Sequence, residues 1–316
     1  MRGLSILFLC LYPLYLVQAQ ELFPHTEAAS TIPKGIFSAR IGANVYREQP
    51  SERTRSWYGL KTYYGLSPAV SVSLQVSAAN HHFQTFPEDI TQYFILHHSR
   101  SYPNPDLALE GIQAMVKYRF FTRDGYQKHW RAAATFHATR SFIAHDVAES
   151  FLMGDNTAWS PGLVVTHLNK RFALSLQNQY IVPLLYEEPE RGLSFKSSNT
   201  FESAIAVGYR LSPKAYKGYG DLNINIYAEQ FIRAHGPAEM MVGDTLYDFE
   251  IIKNNDRVIY NSLQSNVYVE SRITMQFIID SRLRFDVGAT IPVWQRSWSY
   301  FYPVLNFGFQ WYGFKF

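Results

Sequence analysis

The chain carries one cysteine, Cys10, and it falls inside the first apolar stretch. A form without that stretch has no thiol, which excludes a disulfide scaffold and a thiolate metal site. Charge is also scarce, at 17% of residues against about 25% in ordinary soluble domains. The formal net charge of +3 is too small to imply a nucleic-acid partner, and no Lys/Arg-rich run appears. Beyond the N-terminus no segment reaches the ~18 consecutive apolar residues of a membrane-spanning helix. No 3.6-residue apolar pattern stands out, no repeat exceeds a hairpin, and no low-complexity tract is present. What remains is an excess of aromatics, 22 Tyr and 23 Phe among 316 residues. That suits a surface meeting both lipid and water.

The first residues read as an export signal. Met1-Arg2 gives a positive start, Leu4 to Val17 an apolar core, and Val17-Gln18-Ala19 a cleavage site, so 1–19 is expected as a signal peptide with Gln20 as the mature start. Pro13 and the short apolar length make a poor permanent membrane helix, and Leu9 is the wrong neighbour for a lipidated Cys10.

Period-2 alternation fills the rest. Val70, Val72, Leu74, Val76 and Ala78 alternate with Ser71, Ser73, Gln75 and Ser77. The rhythm returns in Ile112–Phe120, Phe201–Leu211, Leu222–Ala228 and Leu283–Ile291. Segments of ~10 residues suit a tilted strand crossing the hydrocarbon layer. The pattern predicts strands at 35–46, 57–66, 69–79, 110–121, 129–140, 161–169, 171–182, 200–211, 221–232, 265–277, 282–293 and 303–316. Their connections alternate between short turns and long loops, the parity of an outer-membrane barrel, which a Greek-key sandwich has no reason to show. The expected fold is therefore all-β: a closed antiparallel transmembrane β-barrel of about twelve strands over 34–316. Residues 20–33 are expected as a short periplasmic segment, too short for a plug domain or a secreted passenger.

The final strand, Asn306 to Phe316, is aromatic and ends in Phe. Here the chain resembles the bacterial outer-membrane barrel class, whose last strand commonly ends in Phe after alternating aromatics. The resemblance implies an assembly signal at Tyr312, Phe314 and Phe316, and two partners, outer-membrane lipid and the barrel-assembly machinery. Gln310 and Gly308 continue the pattern poorly, and Leu305, Phe307, Phe309 and Trp311 sit in the opposite register, which predicts a bulge. Stretches such as Ser160–Phe172 and Asp280–Pro292 also resemble the transporter family named for the MetA pathway of phenol degradation. That resemblance implies passage of a small hydrophobic or aromatic molecule.

Residues opposite the apolar sets should line the lumen: Arg40, Lys61, Lys117, Arg119, Arg131, Arg210, Arg272, Arg282 and Arg284 against Glu202, Glu229, Glu270 and Asp286. Nine cations against four acids predict a positive interior and an anion preference, unless the charges pair across strands and fill a closed barrel. His81-His82 and His97-His98 sit in one long loop, but adjacent residues on an extended chain point oppositely, so solvated histidines are expected rather than a metal site. Asp244, Asp248 and Glu250 form an acidic loop cluster read as a solvated face. Ser160 with His167, or His137 with Ser141 and His145-Asp146, are the only Ser-His combinations worth testing for esterase chemistry. Trp57, Tyr58, Tyr63, Tyr64, Trp130, Tyr180, Trp294, Trp298, Tyr300, Tyr302 and Trp311 read as aromatic girdles.

The expectation is a channel or facilitator for a small solute, with no cofactor, metal or catalytic residue. The alternatives are a closed structural or adhesive barrel acting through its long loops, and a lipid-modifying enzyme.

Overall fold

The computed structural model describes residues 22–47, 53–80, 106–143, 156–214, 222–255, 263–295 and 303–315. Among them the strands are β1 (Ile36–Arg47), β2 (Thr54–Gly65), β3 (Val70–Ala79), β4 (Ala108–Gly125), β5 (Lys128–Ser141), β6 (Ala158–Asn169), β7 (Phe172–Pro183), β8 (Tyr186–Glu188), β9 (Leu193–Lys196), β10 (Thr200–Ser212), β11 (Asn223–His235), β12 (Glu239–Val242), β13 (Thr245–Leu246), β14 (Asn266–Ile279), β15 (Leu283–Gln295) and β16 (Val304–Lys315). Twelve of these close into a barrel in the order β1-β16-β15-β14-β11-β10-β7-β6-β5-β4-β3-β2. Every neighbouring barrel pair is antiparallel, and β1 seals the cylinder by pairing with both β2 and β16. Each segment picked out by alternation overlaps one barrel strand, because closure leaves every strand with one face to lipid and one to the interior.

Tight turns set the short side. Asp280 and Ser281 both adopt left-handed φ (49° and 54°), the paired positive φ of a two-residue hairpin turn whose twist matches its strands. Gln127 (50°) and Lys170 (53°) do the same work in the β4–β5 and β6–β7 hairpins. β4 runs beyond its predicted end because, after a register shift between Arg119 and Phe121, Phe121–Gly125 continue to pair with Lys128–Ala132.

The remaining strands form a separate four-stranded sheet, β13-β12-β9-β8, built from the two connections β7–β10 and β11–β14 on the long-loop side. Buried Phe195 and Met240 are direct cross-strand partners in it. Sequence reading left these stretches as loops, since strands of two to four residues are too short to show a period. A single turn and a half of helix, α1 (Glu250–Asn255), begins where Asp248 Oδ1 accepts the Glu250 N–H (2.9 Å). Asp248 and Glu250 of the acidic cluster are thus a cap and a first-turn residue, each with a structural task.

The outward face is predominantly apolar on every side. Leu74 is 46% exposed and Leu163 56%, with Ile41, Leu60, Val116, Ile205, Ile273, Val287 and Phe307 in the same condition on other strands. A circumference of exposed aliphatics fits lipid, not water. No helix among the described residues is long and apolar enough to cross a membrane.

Tyr312 of the implied assembly signal is buried and packs with Ile32, Tyr63 and Met115. The bulge falls where Phe37 and Ser38 pair with Phe314 and Tyr312, so Gly313 is the extra residue and the facing alternation flips across it. The Phe314 side chain and Phe316 lie outside the described residues. Of the girdle residues, Trp57 and Tyr63 point inward, Trp57 Nε1 donating to Glu110 Oε2 (2.7 Å). Period 2 forces this, since Trp57-Tyr58 and Tyr63-Tyr64 are adjacent and one of each pair must face the lumen. Tyr58, Trp130, Tyr180 and Trp294 stay outward and exposed, while Trp298, Tyr300 and Tyr302 lie outside the described residues.

Candidate functional site

Inside the barrel lies the segment that the sequence reading assigned to the periplasm. Phe23, Thr26, Ala28, Ala29, Thr31 and Ile32 are all buried, and the wall holds this segment residue by residue. Gln276 Nε2 donates to the Leu22 carbonyl (3.4 Å), and Glu229 Oε1 accepts the N–H groups of His25 (3.3 Å) and Thr26 (2.8 Å). Gln177 Oε1 accepts the Glu27 N–H (2.8 Å), Ser175 Oγ donates to its carbonyl (3.0 Å), and Thr166 Oγ1 accepts the Ala29 N–H (2.8 Å). Thr31 Oγ1 donates to the Pro68 carbonyl in the β2–β3 turn (2.7 Å). The segment therefore crosses from the β11–β14 wall past β6–β7 to the β2–β4 wall, near the short-turn end. An extended chain inside a barrel must have its backbone groups satisfied, and polar side chains of the wall do it.

Glu27 is the centre of this arrangement. Its two oxygens meet Lys61 Nζ (2.7 Å) and Lys117 Nζ (2.5 Å), and Lys117 also donates to the Ala28 carbonyl (3.0 Å). Burial works against the Glu27 charge, but the two ammonium groups outweigh it and hold the carboxyl well below the usual carboxylate range. Phe23 supplies the apolar anchor. It meets the Tyr227 ring edge-on (5.5 Å) and clusters with Ala28, Ala173 and Ala206. Gly208 makes the room: a Cβ there would lie 2.3 Å from Tyr227 Cε1.

Several other inward charges form ion pairs as well. Asp286 meets Arg284 (2.8 Å) and Arg40 (3.1 Å), and Arg284 reaches Gln310 Oε1 (3.3 Å). Glu202 pairs with Arg233, and Glu270 with Arg272. Arg131 bridges Asp124 (2.8 Å) and Ser30 Oγ (2.9 Å), and Arg119 donates to the Pro68 carbonyl (2.7 Å). Arg210 stands at the short-turn end of β10, where its carbonyl accepts from Arg171 Nε (2.9 Å), and Arg282 is in the β14–β15 turn. Sequence reasoning missed Glu27, Glu110 and Arg233. The imbalance of nine cations to four acids was the signal that a counter-charge was missing from the inventory.

His25 sets a pH dependence. Its Nε2 is enclosed without a partner, and burial, then Arg272, Arg40 and Arg284, hold its pKa well below the ordinary value. Docked, it stays neutral; released, it gains a proton below about pH 6.5. A folded pKa below the free one means docking is at full strength above that pH and weakens as pH falls, by up to about tenfold per unit. Glu27 adds a loss in the same direction only once pH drops below the ordinary glutamate range. We expect release of the segment, read as the reactivity of a thiol placed at position 26 toward a water-soluble maleimide, to rise between pH 7 and 5, and His25→Leu to flatten that rise.

Among the described residues, neither Ser-His combination is joined by a hydrogen bond. Ser160 faces inward, whereas His167 is on the outer face, stacked on Trp130 (4.1 Å) with Nδ1 at 3.2 Å from the His129 carbonyl. His137 and Ser160 are cross-strand partners on the inner wall, but their polar atoms make no hydrogen bond to each other. His145, Asp146 and the four loop histidines lie outside the described residues. Among the described residues no group of three or more His, Cys, Asp or Glu side chains could hold a metal ion.

No protein-family model matches the chain, so the resemblance to the phenol-degradation transporter family finds no support there, and no curated protein matches it either. Solved structures do. The COG4313 outer membrane channel from Pseudomonas putida F1 superposes with a TM-score of 0.59 at 9% identity, covering 93% of this chain and 100% of its own. The NanC porin (TM-score 0.43, 11% identity, 89% and 100% covered) and the KdgM porin (0.42, 9%, 88% and 99%) are more distant, and only the first likeness carries weight. At such identity the likeness speaks to architecture: this chain has the closed, twelve-stranded antiparallel fold of an outer-membrane β-barrel.

Proposed function

We propose that the protein is an outer-membrane channel or facilitator for a small solute, and that residues 22–33 close its lumen in the state described. The observation carrying this reading is a polar, charged inner wall whose side chains hold residues 22–33 as well as one another. A barrel built only as a scaffold has no need to read a peptide backbone with Glu229, Gln177, Ser175, Thr166 and Gln276. Charge pairing along the wall supports weak ion selectivity in place of a strong anion preference.

A second reading, a closed structural barrel, is favoured by the same segment if it never leaves. Planar-bilayer recording separates the two. The channel reading expects small or infrequent steps from the full chain and larger, longer ones once the segment is loosened. Loosened protein that inserts and never conducts supports the structural barrel.

A further inference from the structure

Two inward cations differ from the paired arginines. Arg40, Arg284, Arg233, Arg272 and Arg131 each meet an acid carried by a barrel strand: Asp286, Glu202, Glu270 or Asp124. Lys61 and Lys117 instead meet Glu27 of the N-terminal segment, one ammonium on each oxygen (2.7 and 2.5 Å). Among the described residues no strand supplies either lysine with an acid of its own. They reach the carboxylate from β2 and β4, with β3 between them. Beside Lys117 the wall holds polar side chains with nothing to bond. Thr135 is directly opposite Lys117, His137 is the next inward residue of β5, and Ser160 is directly opposite His137. All three are buried, and Thr135 Oγ1, both ring nitrogens of His137 and Ser160 Oγ have no hydrogen-bond partner among the described residues. Buried polar groups are ordinarily satisfied, so this row is built for something besides the docked segment. It leads from the lysines toward the long-loop rim.

We infer that Lys61 and Lys117 form the binding site for a small carboxylate solute, and that Glu27 occupies that site as a built-in competitor. The inference rests on the closure proposed above and adds the class of solute that relieves it. A carboxylate arriving from the long-loop side finds the same two ammonium groups, which make charge-assisted hydrogen bonds to it as they do to Glu27. Hydroxyl or amide groups on the same solute then find Thr135, His137 and Ser160. A solute that binds only the released state keeps the segment out, so binding and opening are one equilibrium. The paired arginines keep their strand partners when the segment leaves, so anions are selected at the two lysines and not by a positive lumen.

The test uses the full chain with Cys10→Ser and Thr26→Cys, folded in lipid vesicles, with lactate, lactamide and chloride as probes at equal ionic strength. Lactate binding is first measured by saturation-transfer NMR on Glu27→Ala, where the competitor is gone. At about ten times that dissociation constant, lactate should raise maleimide labelling of the closed chain about tenfold, and lactamide and chloride should not. Lys61→Met/Lys117→Met in the Glu27→Ala background should abolish lactate binding, while Lys128→Met at the exposed β4–β5 turn should not. If the double variant fails to fold, the comparison of lactate with lactamide needs no change to the lysines. Equal release by lactamide or chloride, tighter binding of inorganic phosphate, or lactate binding that survives loss of both lysines overturns the carboxylate site. So does labelling that Glu27→Ala raises and lactate does not, a result that leaves the closure standing. Bulk-rate labelling with no solute present overturns the closure and this site together.

Discussion

On the channel reading proposed above, Glu27→Ala should convert a mostly closed pore into a mostly open one. The substitution removes the single carboxylate between Lys61 and Lys117, whose ammonium groups lie 2.7 and 2.5 Å from it. Lys117 is almost fully enclosed, its side chain 3% exposed. Removing one partner of a buried ion pair commonly costs about 3–5 kcal/mol, because the remaining charge stays desolvated. Here the stranded lysines regain water if the segment leaves, so the penalty falls on the docked state alone. Even the lower figure, about 3 kcal/mol, shifts the docked-to-released ratio on the order of a hundredfold. Glu27→Gln, which keeps the shape and an acceptor, should open the pore less. Lys61→Met/Lys117→Met in the Glu27→Ala background should restore closure in part, since the stranded charges are then gone. Single-channel open probability reads all of these.

The second large effect is on the outer face. Leu74→Arg places a charge in mid-strand on a residue 46% exposed, flanked across its pairings by Thr62 and Ala114. In lipid, an arginine near the bilayer midplane costs about 2–4 kcal/mol. The neighbouring Gln75→Arg points inward and should cost much less. On a soluble protein the order reverses, because an exposed arginine is harmless and an inward one is not. Urea titration of folding into lipid vesicles gives both values on one scale, and equal or inverted effects contradict the assignment of faces.

These two sites also mark how far the sequence could be read. The faces were legible because barrel closure imposes period 2 on every strand, and Val70–Ala79 or Leu283–Ile291 state it without ambiguity. The short turns were legible from parity, and their left-handed residues at Asp280-Ser281 follow from it. Residues 22–33 were not. The segment has no period of its own, and its partners are far along the chain: Thr26 with Glu229, Ala29 with Thr166, Leu22 with Gln276. Such contacts exist only after the barrel has closed around them. Trp57 and Tyr63 were misplaced for a related reason: an aromatic near a strand end fits a girdle by type, and only register decides its side.

Docking inside the lumen also explains why the inner wall is rich in Ser, Thr, Gln and Asn instead of charge alone. A polar wall can exchange one set of hydrogen bonds for water when the segment leaves, whereas an apolar wall would collapse or trap it. Ser175, for example, bonds at once to the Glu27 carbonyl (3.0 Å) and to Thr166 Oγ1 (2.9 Å), a site that water can take over.

The most direct measurement is the reactivity of a thiol at position 26. In a Cys10→Ser chain folded in lipid vesicles, Thr26→Cys should react with a water-soluble maleimide far more slowly than an exposed thiol, and adding Glu27→Ala should bring the rate close to that of one. Bulk-rate labelling of Thr26→Cys in the otherwise unaltered chain would contradict a lumen closed by its own N-terminal segment.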